Sequence, residues 1–135
     1  MPDPGVSDTL GEVTSSSLRC LIIDDSDAYC VAASRLLESA GIHVVGTAST
    51  LVEAVRAARS THPSLVLVDI DLGTDNGFDV VEALDSTALT PRPAIILVST
   101  HDEDDFADMV EASSALGFLP KFELSAAAIE TMLRP

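Results

Sequence analysis

The sequence predicts an α/β fold: a doubly wound sheet of five parallel strands with helices on both faces. Short apolar runs alternate with segments that begin with helix-capping residues. The clearest run, residues 64–69, has four consecutive apolar residues, which is typical of a strand buried on both faces in a parallel sheet. Apolar residues make up 47% of the chain and aromatic residues only 4%, so the core must be aliphatic.

These patterns predict five strands and five helices. The strands are expected at residues 18–24, 42–48, 64–69, 94–99 and 116–119, and the helices at residues 27–40, 50–60, 77–86, 104–114 and 125–133. Ser26 or Asp27 can cap the first helix, and Gly41 can end it. Because strands and helices alternate, right-handed crossovers and parallel strands are expected, although the spacing alone does not give the strand order.

The chain divides into a short tail and one domain. Residues 1–17 are rich in Pro, Gly, Ser, Thr and acidic residues, which predicts a flexible N-terminal tail. Residues 18–135 have the length of a single domain. The tail lacks the charged start and apolar stretch of a signal peptide, and no apolar run approaches the ~18 residues of a membrane span.

The charge and the cysteines limit the classes of partner. Acidic residues outnumber basic ones by 22 to 7, and the formal net charge is −15. No basic cluster is present, so direct binding to nucleic acid or to an anionic membrane is not expected. A divalent cation or positively charged partners fit better. Cys20 and Cys30 are interpreted as buried thiols of a cytoplasmic protein.

Acidic, hydroxyl and amine side chains follow the predicted strands at one end of the sheet. They are Asp24 and Asp25 after the first strand, Asp69 and Asp71 at and after the third, Ser99 at the end of the fourth, and Lys121 after the fifth. In doubly wound folds, ligands bind beyond the C-terminal ends of the strands. We therefore expect these side chains to share one site.

The chemistry of that set points to phosphoryl transfer. Carboxylates this close repel one another unless a cation neutralises them, and Mg²⁺ suits a site with few carboxylates and several waters. A metal ion beside a lysine and a hydroxyl can hold a phosphoryl group while a carboxylate accepts it. The alternative is structural, because Asp also starts turns and caps helices, and a single Lys usually lies on the surface.

The sequence resembles the receiver domains of two-component response regulators. The resemblance runs from about Leu18 to Leu133 and is carried by the segments LIIDDS, LVLVDIDLGTDNG, AIILVS and GFLPK, in this order and spacing. It implies a flavodoxin-like fold with strand order 2-1-3-4-5. It also implies a phosphoacceptor domain whose phosphoryl donor is a histidine kinase or a phosphotransfer protein.

The resemblance implies a role for each carboxylate and for the lysine. Asp69 corresponds to the phosphoacceptor, and Lys121 corresponds to the lysine that pairs with the phosphoryl group. Asp25, Asp69 and the backbone carbonyl of Asp71 resemble Mg²⁺ ligands. Asp24 would complete the acidic pocket through metal-bound water.

The resemblance also implies a switch. Ser99 corresponds to the hydroxyl that turns inward to the phosphoryl group, and Phe118 to the aromatic residue that repacks inward with it. The face formed by the fourth helix, fifth strand and fifth helix would then change shape and control a downstream protein partner or form a homodimer. Asp71 and His101 occupy positions that in the family influence the lifetime of the phosphorylated state, and the favoured alternative for His101 is an exposed loop residue without a role.

Four positions depart from the family pattern, among them Thr100, which replaces the usual small residue beside the switch hydroxyl. Phe122 follows Lys121 where members usually have proline, often after a cis bond. A cis bond before a residue other than proline costs about 2.5–4 kcal/mol, so we expect a trans Lys121–Phe122 bond. Gly73 stands where many members have proline, and Phe118 lacks the hydroxyl that a switch hydrogen bond would need.

Two other functions remain open at this point. LVLVDIDLGT also resembles the first motif of haloacid-dehalogenase-type phosphatases, with Asp69 as nucleophile and Asp71 as acid/base. Those enzymes need an acidic pair after the lysine, where only Glu123 and Glu130 occur. The second open function is that of a pseudo-receiver, a binding module that is never phosphorylated.

Among these possibilities, we expect a single-domain regulator that catalyses at most its own phosphorylation and dephosphorylation. The alternative is a fragment of a longer DNA-binding regulator.

Overall fold

A computed structural model describes residues 18–101 and 103–134 of the 135-residue chain. The predicted tail, residues 1–17, lies outside the described residues. Within the described ranges, no helix has both the length and the apolar character that crossing a bilayer requires.

Five parallel strands form one sheet. They are β1 (Arg19–Ile23), β2 (His43–Ala48), β3 (Leu65–Asp69), β4 (Ala94–Ser99) and β5 (Gly117–Pro120), in the spatial order β2-β1-β3-β4-β5. This confirms the doubly wound parallel sheet and the strand order that the resemblance implies. All five residues of β3 are buried, as expected for an aliphatic central strand covered on both faces.

Five α-helices cover the two faces of the sheet. They are α1 (Asp27–Ser39), α2 (Leu51–Thr61), α3 (Gly77–Ser86), α4 (Ala107–Ala112) and α5 (Ala126–Leu133). Side chains of α2, α3 and α4 belong to one apolar cluster, and those of α1 and α5 belong to the other. The described part of the chain is thus a three-layer α/β structure with an aliphatic core on each side.

Local capping chemistry sets most of the helix boundaries. Ser26, Thr50 and Ser125 each accept a backbone N–H of the first helical turn, so α1, α2 and α5 begin close to where the sequence predicts. Gly41 follows α1 with a φ of 93°, a conformation that glycine adopts without strain. His62 ends α2 in the left-handed region, with a φ of 51°.

The fourth helix is shorter than predicted. The expected helix over residues 104–114 is instead a 3₁₀ turn, Glu103–Asp105, followed by the six-residue α4. Phe106 stands at the N-cap and provides no side-chain cap in the described chain. At the other end, the Ser113 hydroxyl donates a 2.7 Å hydrogen bond to the Val110 carbonyl, which stops the helix.

The loop between β3 and α3 is more ordered than the sequence indicates. Asp71–Leu72 pairs antiparallel with Asp75–Asn76, and Gly73 turns the chain between them with a φ of 79°. Proline, whose φ is fixed near about −65°, cannot occupy this turn, so the departure from the family pattern at this position follows from the loop conformation. The Leu51 N–H donates to the Asp75 side chain and fastens the loop to α2.

Candidate functional site

The carboxylates predicted to cluster do so at the C-terminal edge of the sheet. β1 and β3 are neighbours, and Ile23 pairs with Val68, so Asp24, which follows β1, and Asp69, which ends β3, lie side by side. One oxygen from each of Asp24, Asp25 and Asp69 lies within 4.8 Å of the others. Asp24 and Asp69 are only 2% and 5% exposed, whereas Asp25 faces solvent.

Lys121 reaches this cluster from the far side of the site. It begins the 3₁₀ turn Lys121–Glu123 after β5, and its Nζ lies 2.6 Å from Asp24 Oδ2 and 3.4 Å from Asp69 Oδ2. Both contacts are ion pairs, and the one with Asp69 is also a hydrogen bond that Lys121 donates. Among the described residues the only cis peptide is Thr90–Pro91, so the predicted trans bond after Lys121 is confirmed.

Backbone N–H groups hold the two buried carboxylates in place. The Ser26 N–H donates to Asp24 Oδ1 at 2.8 Å, and the Asp71 N–H donates to Asp69 Oδ1 at 3.2 Å. In each carboxylate the second oxygen, Oδ2, is the one that faces the Lys121 ammonium. The two carboxylates are therefore oriented by their own loops and present one oxygen each to the pocket.

The pocket holds more negative charge than its single ammonium balances. Burial, followed by repulsion from Asp24, raises the pKa of Asp69 to about 6, although Lys121 and the Asp71 N–H act in the opposite direction. Burial by itself lowers the pKa of Lys121, but its pairing with Asp24 and Asp69 outweighs this, and the pKa lies above its ordinary value. Lys121 is thus charged, and a further cation would relieve the repulsion.

Ser99 and His101 lie beside this cluster. Ser99 ends β4, the strand next to β3, and is 2% exposed. Its Oγ accepts the His101 N–H at 3.0 Å and lies 3.4 Å from His101 Nδ1. The hydroxyl is therefore bonded to its own loop. The His101 ring is exposed and packs edge-on against Phe106, with 6.0 Å between the ring centroids.

Comparison with known proteins identifies the family. The family profile of the response regulator receiver domain matches residues 20–134. This chain belongs to that family. The receiver domain is 30% identical over 105 residues to a putative transcriptional regulator of Pseudomonas aeruginosa, covering 78% of the chain and 50% of that protein. It is also 32% identical over 117 residues to protein-glutamate methylesterase/protein-glutamine glutaminase 1 of Methanosarcina mazei, covering 84% and 32%, respectively.

A solved structure has the same fold. A response regulator protein from Burkholderia pseudomallei, crystallised with a phosphorylated aspartic acid, calcium ion and citrate, superposes with a TM-score of 0.75. The two chains are 24% identical, and the match covers 87% of the receiver domain and 67% of that chain. The receiver domain spans half or less of the two curated relatives described above. The predicted resemblance to receiver domains is confirmed, in preference to the phosphatase alternative.

The donor set of the receiver domain fits Mg²⁺. Oxygen atoms of three carboxylates are the ligand type that this hard cation prefers. Ligand oxygens stand about 2.1 Å from Mg²⁺, so neighbouring ligands are roughly 3 Å apart and opposite ones roughly 4 Å, and the three carboxylate oxygens, which lie within 4.8 Å of one another, would draw together around the ion. The exposed Asp25 can make that adjustment. The direct partner of Asp24 is Lys121, and the role of the Asp71 carbonyl stays a prediction.

Phe118, the expected switch aromatic, is largely buried in the described structure. The resemblance implied a ring that repacks inward on phosphorylation, but Phe118 is already only 7% exposed in the described structure. It belongs to the apolar cluster that includes Val110 and Ala115. The described conformation thus has the ring already packed against the sheet, and a movement of Phe118 on phosphorylation stays a prediction.

The sequence analysis missed two residues that shape the site. The Tyr29 ring lies over the ammonium of Lys121, with Nζ 4.3 Å from the ring centroid. Gly77 packs against the backbone that follows β3, and an added Cβ would lie 2.6 Å from Ile70 Cα. The available signals were a lone tyrosine in the first turn after Asp24 and Asp25, and a glycine at a helix start.

Proposed function

We propose that this receiver domain accepts a phosphoryl group on Asp69, with Mg²⁺ bound at the acidic cluster, from a histidine kinase or a phosphotransfer protein. The observation that carries the proposal is the approach of the Lys121 ammonium, from β5, to both Asp24 and Asp69. A buried ammonium and three converging carboxylates have no evident structural purpose at a sheet edge. They are the charges that phosphoryl transfer requires.

Asp69 is the nucleophile of this proposal. Its Oδ1 is held by the Asp71 N–H, which leaves Oδ2 to bond to phosphorus while the bond from phosphorus to the donor breaks and the leaving group takes the electron pair. Asp69 must be ionised to attack, so its raised pKa makes neutralising charges necessary. Lys121 supplies one by pairing with the phosphoryl oxygens. Mg²⁺, when bound, supplies the remaining positive charge.

Ser99 is the proposed link from the phosphoryl group to the surface. Its hydroxyl accepts from the His101 N–H, and that bond must break when Ser99 turns toward a phosphoryl oxygen on the neighbouring strand. Breaking it releases the loop that leads into α4. Asp71 and His101, at the rim of the pocket, are proposed to influence the lifetime of the phosphorylated state.

The surface that responds is the face formed by α4, β5 and α5. Met109 on α4, Leu116 before β5 and Phe122 after it are large apolar side chains that remain exposed. Exposed apolar groups on adjacent elements favour protein contacts. We assign this face to a downstream protein partner or to a second copy of the chain, without direct nucleic-acid or membrane binding.

The proposal is that of a cytoplasmic regulator that catalyses nothing beyond its own phosphorylation and dephosphorylation. Cys20 and Cys30 are both buried and free, which fits a reducing compartment. Burial raises the pKa of the Cys20 thiol to about 12, so this thiol is unreactive. The methylesterase relative is about three times longer than the matched segment, so its activity is not carried over.

Intact-mass measurement after incubation with acetyl phosphate and Mg²⁺ tests the proposal. We expect the mass of one phosphoryl group to be added to the wild type and to be absent from Asp69→Asn. Asp79→Asn is the matched control, because Asp79 is an exposed aspartate on α3 outside the acidic cluster, and this variant should still be phosphorylated. An unchanged wild-type mass would favour the pseudo-receiver, and an adduct on Asp69→Asn would show a different acceptor.

A further inference from the structure

Tyr29 borders the proposed phosphorylation site in an unusual way. It lies in the first turn of α1, where its N–H donates to the Ser26 hydroxyl at 3.2 Å. Its hydroxyl oxygen is buried and has no hydrogen-bond partner among the described residues. Its ring, in contrast, lies 4.3 Å from Lys121 Nζ. The ring, and not the hydroxyl, therefore makes the polar contact of this side chain.

The ring and the carboxylates hold the ammonium together. Lys121 Nζ meets Asp24 and Asp69 at 2.6 and 3.4 Å and the face of Tyr29 at 4.3 Å, and its side chain is only 13% exposed. A cation this close to an aromatic face is attracted by the negative face of the ring, and the attraction is stronger where water is excluded.

A ring suits this position better than another charged group would. The pocket already contains three carboxylates, and a fourth would add repulsion. An aromatic face attracts the ammonium without adding a formal charge. It also cannot form a short ion pair that would compete with phosphoryl oxygens for Lys121.

We propose that the ring of Tyr29 is a positioning residue, which holds the Lys121 ammonium against the two buried carboxylates so that it meets the incoming phosphoryl group. This rests on the proposed function, because the transfer to Asp69 is the step in which Lys121 acts. The hydroxyl of Tyr29 is not needed for this role.

Two variants of the full chain separate the ring from the hydroxyl. The measurement is the initial rate of phosphorylation by acetyl phosphate at saturating Mg²⁺. Tyr29→Leu should lower the rate about fivefold, the size expected for one partly desolvated cation–π contact. Tyr29→Phe keeps the ring and should remain within about twofold of the wild type. A Tyr29→Phe variant as slow as Tyr29→Leu would overturn the proposal.

A second pair of variants tests whether Tyr29 acts through Lys121. Lys121→Met removes the ammonium and should slow phosphorylation strongly. In that background, Tyr29→Leu should cost less than about twofold, because the contact it removes is already gone. An undiminished fivefold loss in the Lys121→Met background would show that Tyr29 supports the fold and does not position the lysine.

The third test does not depend on phosphorylation. Tyr29 is the only tyrosine and the chain has no tryptophan, so the near-ultraviolet absorption and emission of tyrosine report this one ring. Lys121→Met should change that spectrum, whereas Arg92→Met, which removes a cation paired with Asp85, should not. An unchanged spectrum in Lys121→Met would refute the contact. If the wild type accepts no phosphoryl group, the proposed function fails and this spectrum still decides the contact.

Discussion

Helices α3 and α4 pack on the same face of the sheet, yet they are held very differently. α3 is capped by Asn76, which accepts the Phe78 N–H, and it buries four residues, Gly77, Val80, Val81 and Leu84. α4 has six residues, no side-chain cap within the described chain, and none of its described residues is buried. α3 is thus anchored both by a cap and by buried side chains, and α4 has neither anchor among the described residues.

The candidate site also has a strongly anchored side and a weakly anchored side. Backbone N–H groups fix Asp24 and Asp69, and Gly77 packs α3 against the backbone of Asp69. On the other side, Ser99 is bonded to the loop that leads into α4. A weakly anchored element can shift for a small free-energy change, whereas a strongly anchored one keeps its geometry. The two buried carboxylates thus lie on the strongly anchored side of the site, and Ser99 leads to the weakly anchored helix α4.

The largest predicted effect is at the contact that anchors α3. In Gly77→Ala the new Cβ would lie 2.6 Å from Ile70 Cα and closer still to the Asp69 carbonyl oxygen, so α3 must move. We expect the free energy of unfolding to fall by about 3 kcal/mol, measured by urea denaturation. Gly46→Ala is the control, because its Cβ would meet only Leu21 Cδ1, at an ordinary 3.6 Å. Equal losses in the two variants would contradict the anchoring role of Gly77.

The second prediction compares equivalent truncations in the two helices. Val81 is fully buried under α3, and Val110 is half-buried under α4. Val81→Ala should cost about 2 kcal/mol, the transfer of two methyl-sized groups plus a cavity, and Val110→Ala less than about 1 kcal/mol. Amide hydrogen exchange of the wild type should be faster in α4 than in α3. Equal protection of the two helices would remove the distinction between them.

The same contrast explains which parts of the fold the sequence predicts. α3 is expected at residues 77–86 and is found there, because its start, its apolar periodicity and its end agree. The expected fourth helix, residues 104–114, is wrong at five of its eleven positions, and at its start this is because acidic residues at 104 and 105 satisfy the dipole rule without capping a helix. At its other end, α4 stops at Ala112, and the Ser113 hydroxyl that bonds to the Val110 carbonyl was not recognised in the sequence as an end signal.

Some residues of the candidate site are predictable from the sequence and others are not. The strand-end rule places Asp24, Asp25 and Asp69 together, because it depends only on which residues end parallel strands. The strand-end rule does not predict Tyr29, because this residue lies in helix α1 and contacts Lys121, which follows β5, across the site. The burial of Phe118 also escaped prediction, since it depends on where α4 lies.

The third prediction concerns the electrostatic repulsion between Asp69 and Asp24, the two buried carboxylates of the site. The pKa of Asp69 is raised from 3.8 to about 6, so the folded chain binds more protons than the unfolded chain between these pH values, and stability falls as the pH rises through them. Above pH 7 and without Mg²⁺, Asp69→Asn should be about 1.5 kcal/mol more stable than the wild type, roughly half the value of the full shift, because solvent reaches the pocket. Thermal unfolding should show the difference vanish near pH 4 and shrink when Mg²⁺ is added. A constant difference across pH would contradict the charge explanation.

The smallest predicted change in stability occurs at Ser99, where the two halves meet. Ser99→Ala removes the acceptor of the His101 N–H, and because His101 is exposed, water can replace the bond, so the loss should be about 0.5 kcal/mol. The effect of Ser99→Ala on the response to phosphorylation should be larger than its effect on stability. Asp69 stays in place, so Ser99→Ala should still be phosphorylated, but the chemical-shift changes that phosphorylation produces in α4 and β5 should be strongly reduced. Ser60→Ala, which removes an exposed hydroxyl on α2, should leave those changes intact. Identical shifts in phosphorylated wild type and Ser99→Ala would mean that the phosphoryl group reaches α4 by a route other than this hydroxyl.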